Sequence, residues 1–234
     1  MFALCYTSEY FLALSCFLSA ALLIISPSTL QGKEIPAGTY SYRETMGEVT
    51  TYFYWQLEEQ EQQRIVTVHE KKKSFVNLCS VDGATWRWQL KDTDNNHDII
   101  AERHGDELKI SGIRYGEVFE ETVELDERPW YQPLSYSLRN FLGSEVESMS
   151  FWTIRTDTVE ATTLQVKKAG EEEIPVNGKK IMAQRVELRA EGFFSHFWHG
   201  TYWFRKSDKL FLMYRSVHGS PGTPETVIEL MGEP

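Results

Sequence analysis

Cysteine is almost absent from this chain of 234 residues: of three cysteines, Cys5 and Cys16 lie in the N-terminal segment, which leaves Cys79 alone in the remainder. One thiol makes no internal disulfide, and a domain of about 200 residues buries enough surface to do without one. Cys79 sits in a strand-like run over 75–81, where it suits a small buried hydrophobe better than a nucleophile. Basic residues are also scarce. Lys and Arg number 24 against 34 Asp and Glu, a net charge of −10 that excludes nucleic acid and an anionic membrane surface as charge-driven partners.

Catalytic signatures are missing as well. The chain has no nucleophile elbow, no glycine-rich phosphate loop and no zinc-protease helix. His196 and His199 are the one close histidine pair, and on a strand positions i and i+3 point to opposite faces, so they do not form a metal site. Asp92, Asp94 and Asn96 imitate the start of a calcium loop. That loop needs Gly at its sixth position and Glu at its twelfth, where this chain has His97 and Arg103. The stretch reads as a solvated hairpin turn. No cofactor is implied, and the expectation is a protein without enzymatic activity.

Only one long apolar run exists, FLALSCFLSAALLIIS over 11–26, shorter than the roughly 20 residues of a spanning helix. Its place at the N-terminus, followed by Ser26, Pro27 and Ser28, has the anatomy of a signal peptide. The ten residues before it contain Glu9 and no Lys or Arg, which is atypical. Cleavage is expected after Ser28, with Gly32 the second choice and an uncleaved inner-membrane anchor the alternative. Cys16 follows a small residue, but a lipid-attachment motif would place Leu where Ala13 stands and would turn polar after the cysteine. The expected domains are therefore 1–28 as signal or anchor and 29–234 as one exported, periplasmic unit.

Aromatic residues make up 13% of the chain, and they alternate. Phe53, Trp55 and Leu57 take one face of a strand while Tyr52 and Tyr54 take the other. Trp86, Trp88 and Leu90 read as inward, with Thr85, Arg87 and Gln89 outward. Hairpin turns are signalled at Val81-Asp82-Gly83 and Asn177-Gly178, and residues 169–173 read as a further, glutamate-rich turn. One face of 180–191 is wet. Two strands are apolar on both faces: 195–205, with Trp198, Tyr202 and Phe204 opposite Phe197 and Trp203, and 209–218, with Leu210, Leu212 and Tyr214 opposite Phe211, Met213 and Val217. Such strands need covering twice.

Between the two strand-rich halves lies PWYQPLSYSLRNFLG, residues 129–143. Leu134, Leu138, Phe141 and Leu142 share one face at helical spacing, Pro133 suits the start and Gly143 the end, which predicts one central helix over 133–142. The fold class expected is mainly β, an antiparallel, strongly curved sheet with that helix against it.

The order of helix, strand pair, hairpin, wide strand, aromatic strand and closing strand resembles a family of exported bacterial proteins, domain of unknown function 3108. The residues that carry it are PLSYSLRNFLG (133–143), the turn Glu173-Ile174-Pro175-Val176-Asn177-Gly178, Val186-Glu187-Leu188, Tyr202-Trp203-Phe204 and LFLMYRSVHG (210–219). The resemblance spans about 132–230 and leaves 38–125 unmatched. It implies an unclosed barrel similar to periplasmic lipoprotein carriers, with the helix in the concave side. The family has no agreed activity, so it lends no functional residues.

Two functions follow as expectations. In the first, the concave face holds a lipid acyl chain or another apolar molecule. Trp130, Tyr131, Tyr136 and Leu138 around the helix would line it, together with Trp152, Trp198 and Trp203 from the sheet. In the second, the apolar surplus meets a protein of the cell envelope and no ligand cavity exists.

Overall fold

The computed structural model describes residues 35–191, 198–218 and 224–234; the expected signal segment, Phe197 and His196 lie outside the described residues, as do the side chains of Trp198 and Val217. Fourteen antiparallel strands form one curled, unclosed sheet. The first half is a meander of eight: β1 Gly38–Met46, β2 Val49–Glu59, β3 Gln63–His69, β4 Lys73–Ser80, β5 Thr85–Asp92, β6 His97–His104, β7 Glu107–Arg114 and β8 Glu117–Glu124. Two helical turns follow, α1 Leu134–Ser137 and α2 Arg139–Gly143. The return meander is β9 Ser148–Ile154, β10 Ala161–Val176, β11 Lys179–Ala190, β12 Trp198–Arg205, β13 Phe211–His218 and β14 Glu225–Gly232.

β14 pairs with β1, so the two edges of the sheet, β8 and β9, are neighbours in sequence. This arrangement makes the linker between them the central element. Curling brings the edges towards each other, and the linker must lie in the gap. At one lip the turn after β7 reaches the β9–β10 turn, where the Tyr115 hydroxyl donates to the Asp157 carbonyl at 3.0 Å and Arg114 to that of Thr158 at 3.5 Å.

The inner face supplies two apolar clusters. The larger gathers Tyr40, Tyr42, Trp55, Leu57, Phe204 and Tyr214 with the helical turns; the smaller joins Trp88, Leu90, Ile99 and Ile110 of β5–β7 to Trp130, Ile154 and Val159. The expected faces of β2 hold, with Phe53, Trp55 and Leu57 inside and Tyr52 and Tyr54 outside.

The single expected helix is two short turns broken at Leu138. Neither has a side-chain cap, and Pro133 takes φ −85° and ψ 80°, outside helical geometry. Without caps the end amides rely on tight local bonds, such as Tyr136 N–H to the Pro133 carbonyl at 2.7 Å. Burial of Tyr136, Leu138, Phe141 and Leu142 holds the segment in place instead.

Three departures from simple alternation have one cause, the β-bulge. Opposite β4, Leu78 faces Arg87 while Cys79 faces Thr85, so Trp86 is an extra residue in β5. Thr85 is therefore turned inward, 2% exposed, and Trp86 outward, 41% exposed, the reverse of the reading by alternation. Opposite β12, Trp203 faces Met213 while Phe204 faces Phe211, which makes Leu212 the extra residue. Phe211 thereby joins the inner face, its ring 5.3 Å from that of Tyr42 and 5.9 Å from that of Phe204. The third bulge, between Lys168 and Glu171, replaces the turn expected over 169–173. Gly170 at φ +98° bends β10 there without ending it.

That bend explains how the doubly apolar strands are covered twice. Beyond it, the far half of the β10–β11 hairpin folds over the outer face of β12–β14. Glu172 accepts a hydrogen bond from the Trp203 indole at 2.9 Å, and the Asn177 amide donates to the Met231 carbonyl at 3.2 Å. Ile174, Val176 and Ala183 are buried in the process. Asn177 and Gly178 form the expected tight turn, both at positive φ.

Candidate functional site

The concave side is organised by the linker. Leu125 follows β8, and the chain then crosses the gap through residues 126–133 before entering α1. Two arginines fix its start. Arg103 donates to the Asp126 and Arg128 carbonyls at 3.0 and 2.8 Å. Arg128 makes a fork onto Asp126, at 2.6–2.9 Å, and a further bond to Glu191 at 2.9 Å. The Trp152 indole donates to the same Asp126 at 2.8 Å, and the Ser150 hydroxyl to Glu191. The Arg128 guanidinium, with help from Trp152, holds the Asp126 carboxyl well below the usual carboxylate range, and the Ser150 bond lowers that of Glu191. This polar latch ties the linker to β9 and to Glu191, the residue just after β11.

The middle of the linker acts as a short strand. Tyr131 N–H donates to the Trp152 carbonyl and Trp152 N–H to that of Pro129, both at 2.8 Å. On its other side the Trp130 carbonyl accepts from Thr85 N–H at 2.8 Å, and the Thr85 hydroxyl accepts from Gln132 N–H at 3.0 Å. The bulge that turned Thr85 inward is what makes this anchor possible. The Gln132 amide then stands in for a missing strand neighbour: its oxygen accepts from Ile154 N–H at 2.8 Å and its nitrogen donates to the Ile154 carbonyl at 2.8 Å.

The helical turns close the concavity. Tyr136, Leu138, Phe141 and Leu142 are buried in one apolar cluster with residues of β1–β4 and β9–β14, so the helical segment packs directly on the inner face. Burial pushes the Cys79 thiol and the Tyr214 phenol each up to about 12. Three buried polar atoms there, Trp55 Nε1, Asn77 Oδ1 and Ser137 Oγ, have no protein partner.

The residues expected to line one ligand site are thus divided between the two apolar clusters, and Trp203, though part of the larger, is set apart from the others by its face of the sheet. Tyr131, Tyr136 and Leu138 belong to the large inner cluster. Trp130 and Trp152 belong to the smaller one, beside β5–β7. Trp203 stands on the opposite face of the sheet from Tyr202, under the folded hairpin, and the Trp198 side chain lies outside the described residues. Alternation separated the faces of β2 but did not mark the outer one as a candidate surface. Tyr52 and Tyr54 stand there, 65% and 57% exposed, beside an Arg43–Glu229 ion pair at 2.5 Å. No group of metal-ligating side chains occurs among the described residues, and no helix there is long and apolar enough to cross a membrane.

Comparison with known proteins bears on this architecture. A solved structure, a beta-barrel-like protein of domain of unknown function DUF1849 from Brucella abortus, superposes with a TM-score of 0.57 at 9% identity, over 85% of this chain and 97% of that one. The likeness is one of fold. A second structure, the hypothetical lipoprotein YmcC from Escherichia coli, gives a TM-score of 0.40 at 12% identity, over 86% of this chain and 92% of that one. Both neighbours are bacterial proteins whose names assign no activity. No family model matches the chain, and neither does any curated protein.

Proposed function

We propose that this is an exported, non-enzymatic binding protein of the bacterial cell envelope that meets a protein partner through the outer face of its curled sheet. The observation that carries the reading is the contrast between the two faces. The concavity is occupied by Tyr136, Leu138, Phe141 and Leu142, while Tyr52 and Tyr54 stand in solvent beside Arg43. Tyrosine and arginine are the residues that dominate protein-binding surfaces, since each offers a large flat contact and a polar end. Export rests on the apolar run over 11–26, and kinship with domain of unknown function 3108 on the patterned residues over 132–230.

A second reading, a carrier of a lipid or other apolar molecule, is favoured by one observation. Trp55 Nε1, Asn77 Oδ1 and Ser137 Oγ are buried and unpartnered, and the polar end of an amphiphile admitted by displacement of the uncapped turns would satisfy them. Crosslinking in the native envelope, followed by native mass spectrometry of the gently purified protein, separates the two. A specific crosslinked protein that is lost in Tyr52→Ser/Tyr54→Ser, with an apo mass for the chain, supports the outer-face reading. A stoichiometric lipid with unchanged crosslinking in that variant overturns it and supports the carrier.

A further inference from the structure

A groove of about 640 Å³ opens on the outer face, between the β2–β3 turn and the start of β5. It is lined by Gln60, Glu61, Gln62, Gln63, Ser80 and Trp86. We propose that this groove binds a neutral oligosaccharide, with one pyranose ring stacked on the Trp86 indole. The lining includes neither Tyr52 nor Tyr54, and the proposal does not depend on the function of those tyrosines.

The chemistry of the lining selects the ligand class. One exposed indole offers a flat, polarisable surface that matches the C–H face of a sugar ring. Around it stand three carboxamides, one carboxylate and one hydroxyl. A carboxamide carries a donor pair and an acceptor on one rigid plane, the pattern that neighbouring sugar hydroxyls need. No Lys or Arg lines the groove, so a phosphate or carboxylate would find no counter-charge. A single aromatic among polar groups is too little apolar surface for a lipid.

The groove is also held in shape before any ligand arrives. The Gln63 amide donates to Gln60 Oε1, which leaves a donor on Gln60 and an acceptor on Gln63 for the ligand. The neighbouring Arg64 guanidinium donates to the Gln60 and Gln63 carbonyls at 2.8 and 3.2 Å. Ser80 N–H closes the next turn onto the Ala84 carbonyl at 2.9 Å, and Asn140 of α2 holds that turn through the Asp82 carbonyl at 2.8 Å. Trp86 itself points outward because it is the extra residue of the bulge. Preorganisation of this kind lowers the ordering cost of binding.

The test is isothermal titration of the full chain with chitohexaose, cellohexaose and maltohexaose. Saturable binding of at least one is expected, weakened at least about tenfold in Trp86→Ala and retained in Trp86→Tyr. Tyr52→Ser/Tyr54→Ser should bind the same sugar as the parent does. The assignment is overturned by the absence of saturable binding to all three at millimolar concentration. It is equally overturned if Trp86→Ala titrates like the parent, or if the double tyrosine variant loses the sugar.

Discussion

Trp130 and Trp152 form a parallel bridge in an otherwise antiparallel sheet. The bridge is the point at which a linker, by borrowing the hydrogen bonds of edge strand β9, becomes part of the architecture. Gln132 completes it. Its side chain bonds the Trp130 indole at 3.1 Å as well as both backbone groups of Ile154. Gln132→Ala should therefore leave several buried polar groups unpaired and destabilise by about 3 kcal/mol, read from urea unfolding. Gln132→Glu keeps the acceptor and loses the donor, and should fall between the two.

The latch of Asp126, Arg128 and Glu191 makes an acid-dependent contribution. Both carboxyls have folded values below their unfolded ones, so their stabilisation is complete above the unfolded values near about pH 4 and is lost as pH falls through the folded ones. Thermal unfolding followed from pH 7 to pH 2 should show a falling midpoint below about pH 4. Arg128→Ala should be less stable at neutral pH and show a shallower fall. An unchanged slope in that variant would remove the latch from the account.

Gly83 is held at φ +89°, and a Cβ there would stand 3.0 Å from both the Cα and the carbonyl oxygen of Ser137. The strain and the clash add. Gly83→Ala should cost about 2 kcal/mol and loosen α1 from the β4–β5 turn, visible as faster amide exchange over the helical turns.

Leu138 is fully buried at the break between the two turns. Leu138→Ala should lower unfolding stability by about 3 kcal/mol, through lost burial and the cavity left behind. A variant of undiminished stability would mean that the helical segment is not packed as a permanent filling.

Cys79 should resist thiol reagents in the native protein at neutral pH, because burial raises its thiol to about 12 and removes the reactive thiolate. Reaction is expected only on unfolding. Fast modification of the native chain would show that the inner face near Tyr136 opens to solvent.

The strands were legible because their cause is local. Alternation placed Phe53, Trp55 and Leu57 inside and Tyr52 and Tyr54 outside, and Asn177-Gly178 announced its hairpin. Trp86, Phe211 and the segment 169–173 were misread for one reason. A bulge inserts a single residue, and the period of two then points the next side chain to the other face. The bulge is set by the partner strand and leaves little mark in its own sequence.

The spread of the expected ligand residues has a similar origin. Trp130, Tyr136 and Trp203 look alike as aromatic positions in a row of strands and turns. They part company only when the sheet curls, the linker crosses the gap and the β10–β11 hairpin folds back at Gly170. Composition and periodicity by themselves determined a mainly β chain, acidic, with one buried thiol and a helical segment between two meanders, since each follows from side-chain chemistry within a few residues. Tertiary structure alone decided that β14 meets β1, that the helical segment packs inside the concavity, and that Trp86 faces outward. Those outcomes depend on pairings between residues far apart in the chain, which no local pattern encodes.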